Sequence, residues 1–476
     1  MEIHISLVGR KDLSGEIYRQ LRRAIVAGQL RPGDPLPPSR ELARRLMVSR
    51  TTVTGAYERL AGEGFVTARV GAATIVSEHL APARGRSRNR RIGDTLRARP
   101  VWDAIRMPTM IFAQPTLFDF RSGLPDATLF PHDAWRRLMA RQLRSEAKAA
   151  IVYDHPAGNM RLREAIARHI GVSRGIEASA DDVIVTNGMQ QALDIISRVL
   201  LSPGDHIAME DPGYSLARLA FGSLGLLVRG VPIDRDGLKV DALPKQARAV
   251  YVTPSHQYPL GMSMTLPRRL ALLAWAERYN AAIIEDDYDS EFRFGGRPIE
   301  PLRMLDTTGR VIYIGSFSKT LLPTLRLGFI VTPPSLREAI HKAKLVTDWH
   351  TPATIQAVLA QFIDSGGFAR HIRKARDIYR VRHRLIMNTL GRDFTDHLEV
   401  VRSTVGLHIA AVARTASADQ IGDVLRRASD KGVVVQDLAR LGINAPEPPG
   451  LLLGYGAIPT ERIEEGLRLL GSCFFD

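Results

Sequence analysis

A lysine, two serines and an arginine stand close together between residues 316 and 326, in the segment SFSKTLLPTLR. The amine of Lys319 could form a Schiff base with a carbonyl compound. Hydroxyl and guanidinium groups bind phosphate, so Ser316, Ser318 and Arg326 could hold one near the lysine. A lysine after a strand is usually only a solvated charge, so this segment needs partners elsewhere in the chain to indicate a site.

Two aspartates and a tyrosine, Asp286, Asp287 and Tyr288, follow the apolar run AAIIE. An acidic pair at the end of a strand is usually a helix cap. A buried carboxylate can also pair with a protonated pyridine nitrogen, and a phenol can hydrogen-bond a ring oxygen. Because side chains alternate along a strand, the two carboxylates should point to opposite sides.

A helix is predicted to begin at Gly188, Met189 and Gln190, directly after DVIVTN. The free backbone N–H groups and the dipole of a helix start favour phosphate binding. A helix that opens on a glycine is a weak signal alone. Combined with the lysine, the carboxylate, the phenol and the arginine, it predicts a pyridoxal phosphate site.

Short apolar runs alternate with amphipathic stretches from about residue 150 onward. This alternation predicts an α/β domain with a mainly parallel sheet covered by helices. Ligands of such sheets lie beyond the carboxyl ends of the strands, where the residues above fall. The predicted strands are DVIVT, HIAME, LLVRGV, AVYVT, AAIIED, VIYIG and LGFIV.

From about residue 115 to its end, the chain resembles the fold-type-I aminotransferases, with large and small subdomains. The resemblance rests on YDHPAGNMRLREAIA, TNGMQQAL, EDPGY, IIEDDYDSEF and SFSKTLLPTLRLGF, which occur in family order. It implies that Lys319 holds pyridoxal phosphate, that Asp286 pairs with the pyridine nitrogen and that Tyr288 pairs with the ring hydroxyl. Tyr214 would stack on the ring. The phosphate would be bound by Ser316, Ser318, Arg326 and the helix start at Gly188, Met189 and Gln190.

The chain departs from the aminotransferase pattern at two places. Residues 258–261, YPLG, replace the family's Asn-Pro-x-Gly, so the asparagine that supports the ring hydroxyl is missing. His256 or Gln257 could partly replace it, although a structural hydrogen bond in a turn is an equal alternative for His256. The arginine that usually binds the substrate carboxylate is also missing, because LLLGYGAIPTERIEEG contains none before Arg462, at the exposed start of a predicted helix.

Residues 14–77 have a compact helical pattern with apolar residues at helical spacing. Ser39 and Ser49 are predicted N-caps of its second and third helices. The third helix would present Arg50, Thr51 and Thr52 in its first turn, as reading the major groove of DNA requires. The following GFVTARVGAATIV predicts a small hairpin, or wing. A helical dimerisation module built on the same apolar stripes is the alternative.

The segment LPPSRELARRLMVSRTTVTGAYERLAGEGFVTARVGAATIV resembles the winged helix-turn-helix of the GntR transcription-factor family. The two alanines that follow Gly71 depart from the usual glycine-rich tip of the wing. With the aminotransferase-like part behind it, the whole chain is similar to the MocR subfamily of GntR-type regulators. The resemblance implies a wing turn at Gly71 and contacts with double-stranded DNA by Arg40, Arg50, Thr51 and Thr52.

Positive charge is concentrated in the first quarter of the chain. The chain has 65 basic and 50 acidic residues, a net charge of +15, and residues 1–106 contain 20 of the basic and 10 of the acidic ones. This asymmetry indicates a polyanionic partner. Residues 81–106 read as an arginine-rich linker that is either a solvated tether or a phosphate-binding segment. The predicted domains are residues 11–80, a linker at 81–114, and an aminotransferase-like domain at 115–476 with its large subdomain at about 150–340.

Length and composition exclude several classes of protein. A chain of 476 residues with 45% hydrophobic and 24% charged residues is typical of a folded protein with more than one domain. No apolar run approaches the roughly 18 residues of a membrane span, and the amino terminus does not resemble a signal peptide. A cytoplasmic location without membrane contact is therefore expected. The single cysteine, Cys473, cannot form an internal disulfide and is expected to be buried.

Two functions remain open from the sequence. The favoured one is a transcriptional regulator whose domain with bound pyridoxal phosphate senses an amino compound, or the cofactor itself. The alternative is an active aminotransferase with an attached DNA-binding domain, which the missing arginine makes less favourable. The resemblance implies a homodimer in both cases, arranged head to tail.

Overall fold

The computed structural model describes residues 5, 7, 12–67, 73–78, 97–103, 105, 116–147, 152–295, 300–443 and 449–474. The chain divides into two compact units, Met1–Ala98 and Arg99–Asp476. Most of the predicted linker, and Gly71 of the predicted wing turn, lie outside the described residues. Within the described part, no helix has the length and apolar character needed to cross a membrane.

The first unit consists of three helices and a small hairpin. Its core is formed by apolar side chains from all of these elements, with Leu21, Val53 and Leu60 fully buried. The bounds are α1 Leu13–Val26, α2 Ser39–Leu46, α3 Arg50–Gly62, β1 Val66–Thr67 and β2 Ile75–Val76, with β1 and β2 antiparallel. The predicted helix-turn-helix and the hairpin after it are therefore confirmed as structure.

The two predicted N-caps have different outcomes. Ser49 caps α3, because its hydroxyl accepts a hydrogen bond from the backbone N–H of Thr52 at 3.1 Å. The N-cap prediction for Ser39 is wrong, because Ser39 is already the first helical residue of α2. Pro38, with φ −53° and ψ 136°, takes the extended N-cap position and offers no side-chain oxygen.

A twisted sheet forms the centre of the second unit, and its strands include all seven predicted runs. Its described strands are ordered β4-β11-β10-β9-β8-β5-β6-β7, parallel from β10 to β6, while β11 and β7 run antiparallel to their neighbours. The mainly parallel sheet is therefore confirmed. The strand bounds are β4 Val183–Thr186, β5 His206–Asp211, β6 Leu227–Asp234, β7 Gly237–Leu238, β8 Ala247–Val252, β9 Ala282–Asp287, β10 Val311–Ser316 and β11 Gly328–Val331.

Helices cover this sheet, and their apolar stripes pack with it into three buried clusters. Such layering follows from the burial of the strands, whose side chains are apolar on both sides of the sheet. The helix bounds are α4 His132–Glu146, α5 Met160–Arg174, α6 Met189–Leu200, α7 Ser215–Ser223, α8 Leu266–Arg278, α9 Leu302–Leu305, α10 Arg337–Asp348 and α11 Ala353–Asp364.

A smaller subdomain follows, built on a second sheet in the order β12-β13-β16-β15. A separate parallel pair joins β14 to β3, so the start of the second unit packs into its carboxy-terminal part. Cys473 is buried in this core, as predicted. The bounds are β3 Phe118–Asp119, α12 Gly367–Asp393, β12 Leu398–Val400, β13 His408–Ala413, α13 Ala418–Asp430, β14 Val433–Val434, β15 Gln436–Asp437, β16 Gly450–Gly454 and α14 Ile463–Gly471.

Candidate functional site

Asp286 lies at the carboxyl end of β9, where the backbone pairs it with Ile314 of β10. The hydroxyl of Tyr251, on the adjacent strand β8, donates to Asp286 Oδ2 at 2.6 Å. Asp286 Oδ1 is buried and has no hydrogen-bond partner among the described residues. Burial raises the pKa of Asp286 to about 7, because a buried carboxylate loses its hydration. An unpaired carboxylate oxygen in this position suits a protonated nitrogen of a bound ring.

Asp287 points to the opposite side of the strand, as alternation predicts. Its carboxylate is paired with Arg174 Nε at 2.8 Å, accepts a hydrogen bond from the Tyr313 hydroxyl at 2.7 Å and contacts Ser290. Burial alone would raise the pKa of Asp287, but Arg174 and the two hydroxyls outweigh it and hold the pKa below its ordinary value. Asp287 therefore belongs to a satisfied internal ion pair.

Lys319 follows β10 and its amine donates to the carbonyl of Gly123 at 2.7 Å. Burial lowers the pKa of Lys319, and the carboxylates of Asp289 and Asp286 partly offset that effect. A lowered pKa favours the neutral amine, which is the form that attacks a carbonyl carbon. Gly123 has φ +81°, and a Cβ there would lie 2.9 Å from the lysine Nζ, so this approach requires glycine.

The predicted phosphate end is built around the start of α6. Gly188 is the N-cap of that helix with φ +79°, and a Cβ at this position would lie 2.8 Å from Arg326 Nη2. Arg326 Nη2 donates to the carbonyl of Asn187 at 2.9 Å, which holds the guanidinium beside the helix start. Ser318 N donates to Ser316 Oγ at 3.1 Å. The structure thus brings the guanidinium and the amide groups of one helix start together.

The two other residues of this helix start have different environments. The side chain of Met189 packs on the apolar core, so only its backbone N–H could contact an anion. The side chain of Gln190 hydrogen-bonds Tyr214, whose pKa is raised by burial. Tyr214 precedes α7, and its ring meets that of Tyr258 edge to face at 5.6 Å. An aromatic wall therefore stands beside the predicted phosphate end.

Tyr288 contacts the buried His256, one of the two residues suggested to replace the missing asparagine. The Tyr288 hydroxyl donates to the carbonyl of His256 at 2.9 Å and lies 3.1 Å from His256 Nδ1. His256 Nδ1 is also 2.9 Å from Asp289 Oδ1, and the His256 ring stacks on His408 with centroids 4.4 Å apart. His256 is thus placed beside the predicted partner of the ring hydroxyl.

Gln257, the other suggested replacement for the missing asparagine, is committed to its turn. Its amide donates to the carbonyls of Pro212 at 2.9 Å and Tyr258 at 2.7 Å. Its side-chain oxygen accepts from the backbone N–H of Leu260 at 3.0 Å. These contacts occupy both N–H groups of the amide, so in this arrangement Gln257 has no free donor for a ring hydroxyl.

Sequence reasoning missed Tyr251, Asp289 and His408. Tyr251 lies within a predicted strand and looked like an ordinary core residue. Asp289 stands three residues after Asp286, and the backbone N–H of Leu407 donates to its Oδ2 at 3.1 Å. The sequence carries no local signal that residues 407 and 408, in the smaller subdomain, approach this aspartate.

The region expected to bind a substrate carboxylate offers no arginine on β16. Arg462, the first arginine after that strand, is exposed and donates weakly to the carbonyl of Leu117 at 3.4 Å. Its exposed position at the start of α14 agrees with the prediction. Among the described residues of this strand, no cation replaces the expected clamp.

The first turn of α3 in the amino-terminal unit is the candidate nucleic-acid interface. Arg40 and Arg50 are exposed, and neither has an acidic partner among the described residues. The hydroxyls of Thr51 and Thr52 lie 2.6 Å and 2.8 Å from Ser49 Oγ. The structure therefore brings the arginine and hydroxyl groups of this turn to one exposed helix end.

Comparison with known proteins covers both units. Residues 117–466 match the aminotransferase class I and II family, and residues 13–76 match the bacterial regulatory proteins of the gntR family. The chain is 38% identical to the probable rhizopine catabolism regulatory protein MocR of Rhizobium meliloti, over 96% of this chain and 93% of that protein. It is 32% identical to the pyridoxine biosynthesis transcriptional regulator PdxR of Corynebacterium glutamicum, over 93% and 91% of the two chains.

Solved structures extend the comparison for the second unit. The α-aminoadipate aminotransferase LysN from Thermus thermophilus matches with a TM-score of 0.72 and 30% identity, over 79% of this chain and 97% of that one. A kynurenine aminotransferase from Pyrococcus horikoshii matches with a TM-score of 0.71 and 29% identity, over 80% and 95%. The second unit therefore has the fold of these aminotransferases.

Proposed function

Because the chain belongs to the MocR-type GntR regulators, which join a helix-turn-helix domain to an aminotransferase class I and II domain, we propose that it regulates transcription in response to a small amino compound. The first unit would bind operator DNA in the cytoplasm. The second would hold pyridoxal phosphate and recognise the effector, which is an amino compound or the cofactor itself. The observation that carries the proposal is the buried, unpartnered Asp286 Oδ1 beside Lys319, in a chain whose α3 also presents an exposed first turn.

The aminotransferase class I and II family depends on pyridoxal phosphate, and the residues of this chain fit that group. Lys319 would hold its aldehyde and Asp286 its ring nitrogen. Tyr288 would face the ring hydroxyl, and Tyr214 the ring. When bound, the cofactor supplies an electrophilic carbon for amines and withdraws electrons from it. Arg326 and the start of α6 would neutralise the phosphate, because free N–H groups and a guanidinium converge there.

The residues of the site have a distinct role in proton placement. Asp286 favours a protonated ring nitrogen when its carboxylate is ionised, and Tyr251 holds that carboxylate in position. The Tyr288 hydroxyl donates to the His256 carbonyl, and because an O–H can rotate about its C–O bond, it would be free to donate to a ring hydroxyl oxygen instead. Burial lowers the pKa of the Lys319 amine, so once an incoming amine had taken its place on the cofactor, the released lysine could accept a proton.

Transamination is the second candidate function. The lysine and the aspartate that this chemistry needs are both present, and relatives include the 2-aminoadipate transaminase of Thermus thermophilus, 31% identical over 77% of this chain. Against efficient turnover stands the absence of an arginine on β16, where the aminotransferase pattern expects one for the substrate carboxylate. A sensor needs only an effector that binds two states of the protein with different affinities, so it can function without that arginine.

The proposal includes a homodimer, arranged head to tail, with an exposed apolar patch of the second unit as part of its contact surface. Tyr153 and Trp349 meet edge to face at 4.4 Å, while Val152 and Val346 beside them are 81% and 82% exposed. Apolar clusters of this kind favour burial against another protein surface. Size-exclusion chromatography with light scattering should show a dimer. A protein that stays monomeric across the accessible concentration range contradicts this part of the proposal.

The deciding experiment follows the visible absorbance of the protein loaded with pyridoxal phosphate while amines and amino acids are added one at a time. A sensor should give a stable spectral change without a keto product, together with a changed affinity for operator DNA at the same concentration. Release of a keto product with repeated turnover would favour the transaminase instead. Lys319→Ala is the control, since it should lose the covalently held cofactor and with it the spectral response, while DNA binding without effector persists.

A further inference from the structure

A surface groove of the second unit combines an apolar floor with basic sides. It lies between the first half of α4, the end of α11 and the start of α12, and has a volume of about 500 Å³. The apolar residues that line it are Leu129, Phe130, Pro131, Leu138 and Phe362. Of these, Phe130 and Phe362 are buried and the other three are partly exposed, so the floor offers a narrow apolar strip to a partner.

Four cations line the two sides of this groove. Arg137 and Arg141 are four residues apart on α4, and Arg370 and Lys374 are four residues apart on α12, so each pair shares one helix face. All four side chains belong to exposed residues, and no acidic partner of any of them is found in the described part of the chain.

Two cations close to the groove are neutralised by carboxylates. Arg136, next to Arg137, pairs with Asp133 at 3.1 Å, and Arg168 pairs with Asp364 at 2.7 Å. The four groove cations have no such counter-charge among the described residues, and all four line the same groove. Like charges around an apolar floor repel one another, so an acidic occupant would relieve that repulsion.

We propose that this groove docks an acidic amphipathic helix of a partner protein, an interaction beyond the function proposed above. An apolar stripe of such a helix would cover the floor, and carboxylates one turn apart on both flanks would meet the two pairs of cations. Duplex DNA is the less suitable occupant, because its backbone offers phosphates but no apolar surface for the floor.

The groove adjoins the segment that carries Lys319. His371 lines the groove, and its Nε2 lies 2.7 Å from the carbonyl oxygen of Thr320. Thr320 is the residue directly after Lys319 and is itself buried. A helix bound in the groove would therefore contact the side chain that supports the backbone next to the cofactor lysine.

The test uses the full-length chain and a fluorescent peptide of about 14 residues, with leucines at i, i+3, i+4 and i+7 and glutamates on both flanks. Fluorescence anisotropy should show saturable binding. Combining Arg137→Ala with Lys374→Ala should weaken it about tenfold, because one ion pair is lost on each side of the groove.

The matched control combines Arg136→Ala with Arg373→Ala. These are the adjacent residues on the same two helices, they remove the same formal charge, and they do not line the groove. The control should leave peptide affinity unchanged. The proposal is overturned by a lack of saturable binding, by equal weakening in both double variants, or by equal binding of a peptide with the same composition but dispersed leucines. If the groove variant instead loses affinity for a DNA duplex and keeps the peptide, the occupant is nucleic acid.

Discussion

The start of α3 and the end of β9 place polar side chains in opposite environments. Ser49 and Arg50 are exposed, so water can hydrogen-bond any polar groups that have no protein partner. Asp286 and Asp287 are buried, so each depends on a fixed partner in the protein or in a ligand. Exposed charges contribute weak, salt-dependent interactions, whereas a buried charge without its partner is strongly unfavourable. The two candidate sites should therefore respond very differently to single substitutions.

The largest effect on stability is expected at the buried carboxylates of β9. Asp287→Asn leaves the guanidinium of Arg174 buried beside a neutral amide, and loss of one partner from a buried ion pair costs about 3–5 kcal/mol. Urea denaturation of the cofactor-free protein at neutral pH measures the free energy of unfolding. Asp286→Asn is the matched control on the adjacent residue and should not lower that free energy, because it removes the cost of ionising a buried carboxylate. Equal losses in the two variants would show that the carboxylates do not differ in partner.

A pH series should separate the two carboxylates further. The folded pKa of Asp286, about 7, lies above its ordinary value of 3.8, so the folded state holds this proton more tightly. The resulting stabilisation is fully present below about pH 4 and is lost as the pH rises to about 7, which amounts to up to about 4 kcal/mol. The unfolding free energy of the cofactor-free protein, relative to that of Asp286→Asn, should therefore fall across this range. A constant difference would contradict the raised pKa.

Substitution at the exposed start of α3 should affect DNA binding and leave the cofactor site unchanged. Arg50→Ala should weaken operator binding about tenfold, because it removes one contact at the recognition helix. If that contact is to a phosphate, the slope of log affinity against log salt should fall by about 0.9. The affinity for pyridoxal phosphate should be unchanged.

Arg59→Ala provides the control on the same helix. Arg59 lies toward the other end of α3 and stacks over Tyr18 at 4.1 Å, so its loss should not affect the recognition turn. Fluorescence anisotropy with labelled operator DNA compares the affinities of the two variants. An unchanged affinity of Arg50→Ala, or an equal loss in both variants, would remove Arg50 from the recognition surface.

The parts of this molecule that sequence predicted well are those in which local pattern and tertiary burial agree. The runs VIYIG and AAIIED form buried strands because both of their faces are apolar, and the opposite directions of Asp286 and Asp287 follow from the two-residue period of a strand. Local reasoning failed at Ser39, where the adjacent Pro38 takes the N-cap position. It could not find Asp289 or His408 beside His256, because the three residues are far apart in the sequence and only the tertiary fold brings them together.

The smallest effect is expected at Ser49, whose hydroxyl has two roles that can be separated. It caps α3 through the Thr52 N–H and also holds the hydroxyls of Thr51 and Thr52. Ser49→Ala should cost about 1 kcal/mol at this helix end, measured as faster amide hydrogen exchange in its first turn. Ser49→Asp retains a cap acceptor and should restore slow exchange. Its negative charge would repel phosphates, however, so its operator affinity should stay below that of the unmodified protein, and the difference should widen at low salt. Restored exchange together with full operator affinity would mean that the first turn of α3 does not face the DNA backbone.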